Sequence, residues 1–195
     1  MNKVLVKSIL AGIMIAVGTL TYINASTYVG AFMFSIGLLS IFHFNLNLFT
    51  GAIPYVDSMK QLLYSFVILL GNVTGCLVMI FFPSDVSKMI VENKLNHSYL
   101  YIILVSMMCN VLIYMAVEAN KKHNIVLVVM SVMAFILCGF NHSIANVCFV
   151  LSARIFSVQS LMLILLSIVG NMIGGIMFRK VVVYASGKDR EKLCG

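Results

Sequence analysis

Gly139-Phe140-Asn141-His142-Ser143-Ile144-Ala145-Asn146 decides how this chain is read. The string lies inside residues 125–153, a run of 29 without a Lys, Arg, Asp or Glu. A straight transmembrane helix needs ~20 apolar residues. The run is too long for one, so it is expected to cross as a broken helix with the histidine at or near the break. An ionisable side chain inside such a segment is costly, and by default it marks a pathway or a proton relay.

The rest of the chain is of the same kind. It is 62% hydrophobic and 10% charged, with a mean hydropathy of +1.06, which places it among all-α integral membrane proteins. Six apolar segments are expected, over residues 6–23, 28–53, 62–82, 99–117, 125–153 and 158–183, as one transmembrane domain spanning residues 1–195. An even number of crossings puts both termini on one side. With the termini in the cytoplasm, Lys3, Lys7, Lys60, Lys121, Lys122, Arg179, Lys180, Lys188, Arg190 and Lys192 lie inside, and only Lys88, Lys94 and Arg154 outside. This positive-inside bias explains the net charge of +7, so no nucleic-acid partner is expected; the partner is the lipid bilayer of the cell membrane. Lys3 and Lys7 before a short apolar stretch imitate a signal peptide, but further spans follow, and an uncleaved first helix is expected. Trp is absent, and the eight Tyr supply part of the interfacial belt. Cys76, Cys109, Cys138, Cys148 and Cys194 form no CxxC pair and read as small hydrophobes. Neither a metal nor another cofactor is expected.

The two halves echo each other. Segments two and five are the longest, and both turn polar near their C-terminal ends. His43 and His142 are each followed four residues later by an Asn, Asn47 and Asn146, then by an aliphatic residue and a nearby Phe. Gly71-Asn72-Val73-Thr74-Gly75 and Gly170-Asn171-Met172-Ile173-Gly174 both read G-N-x-x-G. Three spans per half make this a 3+3 inverted repeat, in which matching interrupted segments point to a midplane site. The glycines themselves read as places where helices approach closely.

These residues also resemble the formate/nitrite transporters, the pentameric anion channels that include the hydrosulfide channels. Gly37-Leu38-Leu39 with Leu48-Phe49-Thr50-Gly51 is similar to that family's second-helix signature. Leu70-Gly71-Asn72 with Gly75 resembles its third helix, and Cys109-Asn110-Val111-Leu112 with Met115-Ala116-Val117 its fourth. The string 139–146 resembles the fifth, and Gly170-Asn171-Met172-Ile173-Gly174-Gly175 with Tyr184 the sixth.

The resemblance implies an aquaporin-like protomer with broken helices 2 and 5, assembled as a homopentamer in which each protomer has its own pore. It puts the central histidine at His142, the threonine of the broken second helix at Thr50, the pore asparagine at Asn110 and the vestibule lysine at Lys94. The apolar constrictions fall on Phe34, Leu38, Leu48 and Phe135. It implies a small monovalent anion as substrate: formate, nitrite, hydrosulfide or similar. The chain departs from the family pattern at four places. Asn141 replaces the acid before the histidine, Asn45-Leu46-Asn47 replaces Gly-Ala-acid, Asn124 replaces a basic residue and Ser131 a proline.

Such a pore suits a weak acid. In the Born limit an ion entering hydrocarbon faces a penalty on the order of 20 kcal/mol, most of which its neutral form avoids. A basic mouth concentrates anions, apolar rings exclude hydrated ions, and His142 donates either a proton or a hydrogen bond. Enzymatic catalysis is not expected: the six acids, Asp57, Asp85, Glu92, Glu118, Asp189 and Glu191, all lie in loops or tails. An aquaporin-like neutral-solute channel would typically carry two Asn-Pro-Ala motifs, but the only prolines are Pro54 and Pro83. A non-conducting membrane subunit would leave the polar break motifs unexplained.

Overall fold

A computed structural model describes residues 2–187. Lys188, Arg190 and Lys192 of the charge count lie outside the described residues, with Asp189, Glu191 and Cys194. Among the described residues four helices are long and apolar enough to cross a membrane, two of them α1 (Asn2–Ile23) and α6 (Tyr99–Lys121). The third is α4 (Met59–Cys76), which continues through a 3₁₀ stretch, Leu77–Phe81. The fourth is α9 (Val158–Ala185). α9 exposes Leu161, Leu165, Val169, Ile173, Met177 and Val181. A four-residue step turns by only about 40°, so they form a slowly winding stripe, and at ~1.5 Å per residue it runs about 30 Å, the thickness of a bilayer's hydrocarbon core. Such an apolar exterior belongs to a membrane protein.

The two long segments are each divided. Residues 28–53 form α2 (Thr27–His43) and a short α3 (Phe49–Ala52), which runs into a 3₁₀ turn at Ile53–Tyr55. Residues 125–153 form α7 (Ile125–Leu137) and α8 (Ser143–Ala153). α2 and α7 end alike. At the first break the N–H groups of Asn45 and Leu46 bond to the carbonyls of Phe42 and Ile41; at the second, those of Gly139 and Phe140 bond to Ile136 and Phe135. This pairing is the Schellman motif, which needs a left-handed residue at its corner. Asn45 (φ 50°) and Gly139 (φ 66°) hold that position, and they are the residue types that tolerate it.

Each break is held by one asparagine from a neighbouring long helix. Asn72 Nδ2 donates to the carbonyls of Ser8 and Asn47, while its Oδ1 accepts from the Phe49 N–H. Asn171 Nδ2 donates to the carbonyls of Ser106 and Asn141, while its Oδ1 accepts from the Ser143 N–H. Both side chains are fully buried. Backbone groups freed where a helix stops need such partners, because lipid offers none. The glycines of the same motifs set the packing. A Cβ at Gly75 would lie 2.1 Å from the Ile9 carbonyl oxygen, and one at Gly174 would lie 2.3 Å from that of Met107, so α4 rests on α1 and α9 on α6.

Two expectations are corrected. The acids were expected in loops or tails, yet Glu118 lies in α6, and Asp85 and Glu92 lie in α5 (Asp85–Leu95), capped by Ser84, whose Oγ accepts from Ser87 N–H. α5 packs against α8, with Ser87 and Val91 buried and Lys94 one turn further along the same face. The echo also holds a different register. Asn45, Asn47 and Leu48 stand at the first break where Gly139, Asn141 and His142 stand at the second, so Leu48, not His43, matches His142. His43 is exposed, its ring beside that of Phe44.

Candidate functional site

α8 begins at His142 because the histidine is its cap. Its backbone is extended, and its Nδ1 accepts the Ala145 N–H at 3.1 Å. A ring nitrogen that accepts a backbone N–H carries no proton, so the neutral imidazole holds its proton on Nε2. Nε2 lies 2.9 Å from Thr50 Oγ1, across 92 residues of sequence, and donates to it. The Thr50 hydroxyl hydrogen is left for another acceptor. Phe135 stacks on the His142 ring at 5.6 Å, and Phe34 meets the Phe135 ring edge-on at 5.8 Å. Thr50, His142, Phe34 and Phe135 are all buried.

Lys94 reaches this centre through Asn141. Its Nζ lies 2.6 Å from Asn141 Oδ1 and 3.5 Å from the Phe140 carbonyl oxygen. Asn141 Oδ1 also accepts from Asn146 Nδ2, whose second hydrogen goes to Ser167 Oγ. A cavity of about 360 Å³ runs from Asn93 and His97 past Lys94, Tyr22 and Phe149 to Asn141 and His142.

Of the expected site residues, Thr50, His142, Phe34 and Phe135 are in direct contact, and Lys94 joins them through one amide. Leu38 and Leu48 lie in the same buried core. Asn110 stands apart, against Gly175 and Pro54: a Cβ on Gly175 would fall 2.2 Å from its Nδ2. Its amide is fully buried, and neither end has a protein partner.

Sequence reasoning missed the two anchoring asparagines as anchors, and a cluster at the other end of α6. There Tyr55 donates to Glu118, Lys121 pairs with Glu118 at 2.7 Å and lies over the Tyr55 ring, and Arg179 grips Asp57 at 2.8 and 3.1 Å and the Pro54 carbonyl at 3.3 Å. Arg179 and Lys180 inside a long, mainly apolar helix were the available signal, which the charge count absorbed. Asn124, which stands where a basic residue was expected, caps α7 by accepting the Leu127 N–H. Among the described residues no group of three or more His, Cys, Asp or Glu could hold a metal.

The fold is that of a known class. The family model for the formate/nitrite transporters matches residues 1–185, and the chain belongs to that family. It is similar to the uncharacterized transporter YrhG of Bacillus subtilis (strain 168), with 25% identity across 97% of this chain and 88% of that protein. Two solved structures share the fold. One is described as a pentameric formate channel with formate bound (TM-score 0.80, 20% identity, 94% of this chain and 96% of that one). The other is described as an FNT family ion channel (TM-score 0.86, 16% identity, 95% and 90%).

Proposed function

We propose that this chain conducts small monovalent anions, or their weak acids, through a pore within its own helical bundle. The observation that carries this reading is the His142 Nε2 to Thr50 Oγ1 bond, which joins the two half-helices at a point walled by Phe34 and Phe135. α1, α2 with α3, α4, α6, α7 with α8, and α9 would make six crossings arranged as a 3+3 inverted repeat, with the termini in the cytoplasm and the protein in the cell membrane. The pentameric relative supports a homopentamer with one pore per protomer. Formate, nitrite and hydrosulfide are the substrate class.

The steps follow from the geometry. An anion enters the cavity at Lys94, loses water between the aromatic rings, and meets the free Thr50 hydroxyl hydrogen. Leu38 and Leu48 continue the apolar wall. Beyond, the unpartnered Asn110 amide offers the hydrogen bonds that no protein group supplies, as a buried amide with both ends open requires of a passing solute or water. His142 holds Thr50 in place. A second proton on its ring would go to Nδ1 and break the cap of α8, so relay and cap exclude each other.

The test is uptake of formate, nitrite and hydrosulfide into proteoliposomes. In His142→Asn the new amide oxygen can keep the cap but loses the reach to Thr50, so uptake is expected to fall while the protein still folds, with a somewhat lower melt. In His142→Phe both bonds are lost, and uptake should vanish. Unchanged uptake and unchanged pH dependence in both variants would refute the reading.

A further inference from the structure

We propose that Asn141 is a specificity-determining residue of the anion path: by seating Lys94 on a neutral amide oxygen, it leaves the lysine's charge to the entering anion. The proposal rests on the anion-transport reading above. Lys94 points from the packed face of α5 into the cavity, and both oxygens it contacts, Asn141 Oδ1 and the Phe140 carbonyl, are neutral. An ammonium has three donors, so a third N–H remains. No Asp or Glu lines the cavity. The two salt bridges of the described residues, Lys121–Glu118 and Arg179–Asp57, belong to the cluster at the far end of α6.

The amide of Asn141 is locked in this orientation. Lys94 Nζ and Asn146 Nδ2 are both pure donors, so only the oxygen can face them. Asn146 is held in turn by Ser167, whose own hydroxyl bonds to the Leu163 carbonyl. The network thus presents an oriented dipole that seats the ammonium without neutralising it. A fixed charge in a concave, partly dry site focuses anions towards it and is screened less by salt than an exposed one. A carboxylate at position 141 would close an internal ion pair, and the entering anion would then compete with it. Asn141 is therefore a specificity-determining residue: it makes charge, rather than shape alone, the entry requirement.

The experiment measures initial uptake of formate and of nitrite into proteoliposomes against concentration, at low and high concentrations of a salt with a large impermeant anion. Asn141→Asp is nearly isosteric and keeps both accepted bonds through a carboxylate oxygen. Its half-saturating concentration is expected to rise about tenfold, with a much smaller change in maximal rate. Asn93→Asp places an acid on the exposed rim, outside the network, and is expected to raise half-saturation about threefold at low salt and hardly at all at high salt. A purely structural role for Asn141 would lower the maximal rate and leave half-saturation alone, and that result overturns the proposal. Should Asn141→Asp fail to fold, Asn93→Asp decides: an unchanged half-saturation at low salt overturns it. Wild-type vesicles that take up neither anion would instead sink the transport reading itself.

Discussion

His142 uses its two ring nitrogens differently, and the difference sets what each substitution does. Nδ1 belongs to the fold, because it caps α8; Nε2 ends on Thr50, the contact on which the proposed pore rests. Thr50→Val keeps the shape and removes the acceptor. A buried donor left unpaired costs about 1–3 kcal/mol, so thermal unfolding in detergent should come earlier and anion uptake should fall steeply. Thr50→Ser retains the hydroxyl and should restore most of both. Equal uptake in the Val and Ser variants would show that the hydroxyl is not used. His142 and Thr50 were legible in the sequence, the first as a lone ionisable group in a charge-free run, the second through family resemblance. The cap was not legible. Capping depends on the backbone angles at the break, and a His is not among the residues usually favoured at that position.

Between the residue and the whole chain, the decisive elements are the two breaks and the asparagines that hold them. Asn171 satisfies two carbonyls and one N–H at once. Asn171→Ala strands the Ser143 N–H in a buried site and is expected to lower stability by about 2–4 kcal/mol, read as an earlier melt in detergent. A melt within a degree of wild type would show that water replaces the side chain. Gly139 makes a different demand. A Cβ there meets nothing within 4 Å, yet φ is +66°. Gly139→Ala should therefore cost about 1 kcal/mol through backbone strain alone, a melt lower by roughly 2–4 °C for a chain of this size. The overlong segments announced that breaks exist, since hydropathy measures length well. It could not give their register. The paired histidines drew the eye to His43, whereas the shared geometry is set by the left-handed corners Asn45 and Gly139, five residues away in that alignment. α5 escaped for a related reason: a mixed polar helix with two small buried residues, Ser87 and Val91, has no apolar run to detect.

At the scale of the molecule, orientation follows from where the charges and the cavity lie. Lys94 and the cavity sit at the α5 end, and the Tyr55–Glu118–Lys121–Arg179 cluster sits at the other end of α6. On the proposed topology, which rests on the positive-inside count, the second end lies in the cytoplasm and the cavity mouth outside. Cys138 makes this measurable. It lies at the α7–α8 break and lines the cavity, and it is exposed, whereas Cys76, Cys109 and Cys148 are buried. In a Cys194→Ser background, a membrane-impermeant maleimide added to intact cells should label Cys138. The bulky adduct would then stand in the mouth beside Lys94 and slow formate uptake. A cysteine introduced at Tyr184, exposed near the far end of α9, should label only after the membrane is permeabilised. The opposite pattern would invert the topology and move the uncompensated lysine to the cytoplasmic mouth. Net flow still follows the electrochemical gradient, so the label decides at which mouth Lys94 gathers the anion.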